Sequence, residues 1–211
     1  MKIVFEIVDS NKTIQENILQ ALLPDVVDFM DKIIQRIQSE FPLIIRQAII
    51  DTPEYSSILN GQLKYEFGLP DSSSKLSGLL DIWSTNLNYA YKKPNISNGR
   101  IVSSFSVSAL RIDFSDVLYT DYATMYDTLR GYRLPWLEWL VLEGNRTIID
   151  NHEIVFGPSR YSRTGNAIMK KSPQSWSVPS EFAGDISNNW ITRALENIQP
   201  EIQNTLDRIF Q

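Results

Sequence analysis

Apolar and polar positions change period several times along the chain, and the changes mark its elements. The first ten residues carry a short apolar run interrupted by Glu6 and ended by Asp9, which reads as a strand. From Ile14 the spacing becomes three and four: Ile14, Ile18, Leu22, Val26, Phe29, Met30, Ile33, Ile37 and Phe41 form one helical stripe. Thr13 followed by Glu16 has the form of a capping box, so a helix is predicted to start there. Pro24 and Pro42 interrupt the stripe. Each removes a backbone donor and crowds the preceding turn, which predicts two or three successive helices with breaks or kinks at the prolines. Thr52 before Pro53 supplies an N-cap with proline at the first helical position, and Gly61 is placed to end that short helix. Asp71 can cap a further helix carrying Leu76, Leu79, Leu80, Trp83 and Leu87.

Strands follow. Lys92, Lys93, Pro94 and Asn95 form a turn cluster leading to Asn98-Gly99, the strongest short-range turn signal in the chain. Phe105, Val107 and Ala109 then alternate with Ser104, Ser106 and Ser108, after which Leu110, Ile112 and Phe114 carry the apolar side at opposite parity, predicting a bulge near residues 109–110. Leu134-Pro135-Trp136 begins a short helix with Leu137, Leu140 and Val141 on one side and Gly144 after its end. Residues 147–156, with Asp150, Asn151 and His152 in the middle, read as a hairpin with His152 at its tip. At the C-terminus, residues 189–210 place Ile191, Leu195, Ile198, Ile202, Leu206 and Ile209 on one helical face, with Pro200 marking a kink or restart.

Between hairpin and final helix, residues 157–185 show neither period. Glycine, proline and serine break every pattern, yet Tyr161, Ile168, Met169, Trp176, Val178 and Phe182 are too apolar for a solvated linker. The segment reads as an extended arm, lying across its own domain or on a neighbouring subunit. Gly165 after Arg163-Thr164 suits a turn with positive φ that aims Arg163 at a carboxylate of its own or another subunit. The whole is an α+β fold in a single domain, residues 1–211: N-terminal helices on a small mixed or antiparallel sheet (residues 100–156), the arm, and a C-terminal amphipathic helix.

Composition narrows the function. The 211 residues include no cysteine, which removes disulfides, thiolate metal sites and thiol nucleophiles. A net charge of -5, with no run of Lys or Arg beyond two, leaves DNA contact incidental. No apolar run approaches the roughly 20 residues that span a bilayer, so no membrane partner is expected. His152 is the single histidine, no GxSxG, GxxxxGK[ST] or GxGxxG occurs, and no cofactor or metal is expected. Glu138 and Glu143 flank a tryptophan-bearing helix, and Asp113, Asp116 and Asp121 lie close together; such carboxylates suit a glycosidase or an oxygen-ligand metal site. Helix caps and solvated faces are the stronger reading. Trp136 and Trp139, three apart, point the same way as core or interface residues. The arm's Arg160, Arg163, Lys170 and Lys171 suit protein contact better than phosphate. Arg160, Tyr161, Arg163, Met169, Trp176, Phe182 and Trp190 are the subunit-interface candidates, and the chain is expected to be inert as an enzyme.

The segments LNGQLKYEFGLPD (59–71), LPWLEWLVLEGN (134–145), SRTGNAIM (162–169) and WSVPSEFAGDISNNWITRAL (176–195) resemble short motifs of uncharacterised virion proteins of tailed bacteriophages. The order of elements is also similar to small neck and tail-completion proteins. That resemblance covers about two thirds of the chain and brings no catalytic residues. It implies a structural protein of the virion, assembled in the host cytoplasm, that forms a six- or twelvefold ring joining head and tail. Its partners would be copies of itself and other neck, portal or tail proteins. A baseplate or tail-terminator component is the alternative within the virion, and a cell-wall glycan hydrolase using Glu138 or Glu143 as acid is the alternative of another class.

Overall fold

One helix, α1 (Asn11–Ile50), runs for 40 residues and organises everything else. The computed structural model describes residues 9–109, 114–127 and 131–210, so the predicted first strand and the predicted bulge near residues 109–110 lie outside the described residues. Ser10, not Thr13, is the N-cap: its hydroxyl accepts from the Thr13 N–H at 3.2 Å, while Glu16 pairs with Lys12. The predicted breaks are absent, since Pro24 and Pro42 both sit inside the continuous helix. Around Pro42 the reason is packing. Phe41, Ile45, Ala48 and Ile49 continue the buried stripe of Ile33, Ile34 and Ile37, and their burial offsets the lost hydrogen bond.

The second half of α1 packs on α4 (Ser72–Thr85), α7 (Trp190–Asn197) and α8 (Gln199–Phe210). Thr52 caps α2 (Pro53–Asn60) as expected, and Gly61 both ends α2 and begins α3 (Gln62–Glu66). In α4 the predicted Leu76, Leu79, Leu80 and Trp83 are buried, but Leu87 belongs to the next strand. Asp71 occupies the N-cap position without a capping bond and lies 3.5 Å from Lys75. The buried Lys75 ammonium instead donates to the carbonyls of Asp121 and Thr124, stapling that loop to α4. C-terminal to it, Asn189 and Thr192 form a capping box on α7, and the chain restarts at α8 around Pro200.

Among the described residues the strands form three separate antiparallel pairs in place of one sheet, and with the helices they make an α+β fold. β1 (Leu87–Ser97) and β2 (Arg100–Ala109) make a hairpin turning at Asn98-Gly99. Lys92 to Asn95 is no turn; it lies within β1 as a register irregularity. The expected alternation holds, and Leu87, Tyr89, Phe105 and Val107 pack against the cluster of Ile33, Ile37, Phe41 and Ile209. After the one-turn helix α5 (Ser115–Leu118), β3 (Met125–Asp127) pairs with β4 (Tyr132–Leu134), which leads into α6 (Trp136–Val141). β5 (His152–Phe156) pairs with β6 (Ala167–Lys171). His152 therefore starts a strand opposite Lys171 and is not at a hairpin tip, the tip being residues 157–166.

The presumed arm closes on its own chain. Trp176 exchanges backbone hydrogen bonds with Ile149, and Trp176 and Val178 are buried in the main core. Further on, the Gly144 N–H donates to the Gly184 carbonyl at 3.0 Å, and a Cβ at Gly144 would stand 2.5 Å from the Gly184 nitrogen. Arg193 of α7 completes the closure, donating to the buried Glu54 at 2.6 Å and to the carbonyls of Phe182 and Ala183.

Candidate functional site

The β5–β6 hairpin borders a cleft of about 590 Å³ beside the C-terminal end of α3. Its floor is aromatic. Trp176 meets the Phe67 ring edge-on at 5.9 Å between centroids and the Trp139 ring at 6.2 Å. Trp176 Nε1 donates to Glu66 Oε2 at 3.2 Å, and Gln62 donates to the other carboxylate oxygen at 2.6 Å. Burial pushes the Glu66 carboxyl above the ordinary carboxylate range; the two N–H donors oppose that rise, and the charge of Glu181 adds to it.

Strand alternation places His152, Ile154, Phe156, Ala167, Met169 and Lys171 on one face of the hairpin, and His152, Ile154, Ala167 and Met169 line the cleft. The tip contributes Tyr161, Ser162 and Arg163. Gly165 has φ 86°, as its sequence context suggested. The Arg163 guanidinium lies across Gly68, where a Cβ would stand 2.8 Å from Nε. A larger residue at position 68 would displace that arginine. Of the two partners expected for Arg163, a carboxylate of its own chain or of another subunit, the first is not found among the described residues. Arg160 stays with its neighbour, its guanidinium 2.6 Å from the Tyr161 hydroxyl and 4.8 Å from the ring centroid.

A mostly apolar cleft with a few charged groups suits binding. His152 Nδ1 lies 2.9 Å from the Asp150 carbonyl oxygen, both Glu66 oxygens accept hydrogen bonds, and Asp127 also lines the cleft. Glu138 and Glu143 do not line the cleft, and Glu143 pairs with Arg146 at 3.2 Å. Asp116 accepts from Asn86 and Asp121 pairs with Arg133, while Asp113 lies outside the described residues. No group of three or more candidate metal ligands converges among the described residues.

Of the predicted interface residues, the structure brings Arg160, Tyr161, Arg163 and Met169 together, all exposed around the hairpin. Trp176 is the cleft floor. Phe182 is half-buried against the chain's own core, and Trp190 is fully buried, edge-on to Trp83 at 5.3 Å and donating to Thr52 at 2.7 Å. Burial inside the protomer takes Trp190 off the surface. Tyr65, Glu66 and Gly68 also line the cleft, and none of them is among the candidate site residues named from the sequence.

A second surface lies on α1. No side chain between Asn11 and Lys32 is buried. Ile18, Leu22, Asp25 and Phe29 recur at four, three and four, hence on one stripe, and the three apolar members are 53%, 48% and 49% exposed. This half of the helix runs with the β1–β2 hairpin. Gln15 donates to the Gly99 carbonyl at the hairpin turn, and Lys93 pairs with Asp31 at 2.9 Å, holding that carboxyl below its usual range. Among the described residues no helix is long and apolar enough to cross a membrane. Compared with protein-family models, curated proteins and solved structures, the chain finds no match.

Proposed function

We propose that this chain is a structural virion protein of a tailed bacteriophage, a ring-forming neck or tail-completion subunit that joins head and tail. One observation carries the reading: half of a 40-residue helix stands beside a β-hairpin with an exposed apolar stripe, the form of an element that reaches a neighbour. Such a stripe contributes little to the protomer and gains its burial on association. The exposed Arg160, Tyr161, Arg163 and Met169 add a second contact surface of the arginine- and aromatic-bearing kind enriched at interfaces. The motifs at residues 59–71, 134–145, 162–169 and 176–195 supply the direction toward phage necks.

The test is to locate the chain in particles. Mass spectrometry of purified tailed particles should find it at a fixed stoichiometry, and particle images with the chain labelled should place it between head and tail. Absence from the particle, together with turnover of cell-wall glycan by the purified chain, would replace this reading with the hydrolase.

A further inference from the structure

The two exposed surfaces are complementary in charge as well as in apolar character. Residues 9–30 contain four carboxylates (Asp9, Glu16, Asp25, Asp28) against one lysine, a net charge of -3; Glu16 lies on the opposite side of α1 from the stripe and pairs with Lys12, Asp28 pairs with Lys32 at 2.6 Å, and Asp25 is the carboxylate on the stripe itself. From His152 to Lys171 the count reverses: Arg160, Arg163, Lys170 and Lys171 stand against Glu153 alone, a net charge of +3 with the histidine neutral. None of those four cations has an ion-pair partner among the described residues; Arg160 engages only Tyr161. Asp25, centred on the stripe of Ile18, Leu22 and Phe29, is likewise without an ion-pair partner. Phe156, Tyr161 and Met169 are the exposed apolar residues of the basic face.

We infer that the N-terminal half of α1 in one copy docks on the β5–β6 hairpin and the mouth of its cleft in a second copy. This rests on the assembly reading and names its two faces. In the protomer α1 packs on β1, α4, α7 and α8, whereas β6 packs on α3, so the faces belong to different parts of the molecule. A contact between two different faces of identical chains is head-to-tail. It leaves one of each face open at the ends and closes only in a ring, or continues as a filament. Apolar stripe on apolar hairpin supplies the burial, and Asp25 meeting Arg160, Arg163 and Lys171 sets the register.

The experiment measures the mass of the full chain in solution over a concentration series, at about 50 mM and about 500 mM salt. Wild type should form oligomers whose dissociation concentration rises with salt. Asp25→Lys with Asp28→Lys, and separately Arg160→Glu with Arg163→Glu, should each weaken association by about tenfold or more while leaving the thermal midpoint near wild type. Mixing the two variants should restore assembly, because the basic helix of one then meets the acidic hairpin of the other. If a charge variant misfolds, Ile18→Gln with Leu22→Gln keeps the charge and should give the same loss. Wild-type oligomers that neither variant pair weakens would overturn this inference and leave the assembly reading standing. A chain monomeric at every concentration yet present in particles would do the same, and one whose basic hairpin instead binds duplex DNA would assign that face to nucleic acid. Absence from particles would remove the assembly reading itself.

Discussion

Residues 157–185 and the first half of α1 exchange the roles their patterns suggest. The former has no helical or strand period over most of its length, yet it is anchored through Trp176, Val178 and Gly184 to the core. The latter is unbroken helix with a clean apolar stripe, yet not one of its side chains is buried before Ile33. Regular backbone hydrogen bonding and burial are separate matters. A helix satisfies its own N–H and C=O groups wherever it lies, so it can project from the fold. An irregular segment has no such ladder. It persists only where side chains and backbone groups find partners elsewhere in the chain, which forces it inward.

The comparison breaks most visibly at Trp176. Because its ring is packed against Phe67 and Trp139 and its N–H is held by Glu66, Trp176→Ala should cost the protomer about 3 to 5 kcal/mol in denaturant unfolding. A fully stable Trp176→Ala protomer would return that residue to an intersubunit role. Next comes the Glu54–Arg193 pair, which ties α2 to the end of the irregular segment. Arg193→Ala leaves a buried carboxylate without its cation and should cost about 3 kcal/mol; an unchanged unfolding midpoint would mean that the closure at residues 182–184 does not depend on it.

A smaller loss is expected where backbones touch. Gly144→Ala drives a methyl group into the Gly184 backbone and should cost about 2 kcal/mol, raising amide exchange in residues 176–188 ahead of α6. Equal exchange in wild type and variant would argue that the segment is held by its side chains alone. Glu66 sharpens the comparison through pH. Its folded carboxyl titrates above the ordinary value of 4.5, so the folded state binds that proton more tightly than the unfolded chain does. Stability conferred by the protonated form is complete below 4.5 and is lost as pH rises through the folded value. Glu66→Gln should accordingly gain stability relative to wild type over that window, and a difference constant with pH would show the site to be solvated. Least affected are Ile18→Ala, Leu22→Ala and Phe29→Ala, each expected within about 0.5 kcal/mol in the isolated protomer. A loss of several kcal/mol at any of them would mean that the stripe is covered within the chain.

What the sequence determined by itself is mostly local. Thr52-Pro53 and Asn189 mark helix starts because a capping oxygen or a proline acts within three residues, and Asn98-Gly99 sets its turn within four. The buried stripes of α4 and of the last two helices were legible for the same reason, being periods within single elements. Four of the interface candidates, Arg160, Tyr161, Arg163 and Met169, are exposed in the protomer, although the sequence reading held Tyr161 and Met169 too apolar to stay solvated.

Tertiary structure decided the rest, through contacts between residues far apart in sequence. Trp176 reaches Glu66 across 110 positions and Trp190 reaches Thr52 across 138, so neither fate is written near the residue. The continuity of α1 through Pro42 depends on α4, α7 and α8 lying along it, an energy that local propensity does not contain. The β5–β6 pairing, with Trp176 bridging Ile149 beside it, borders the cleft and sets Arg163 in its lining, a placement that no local pattern carries.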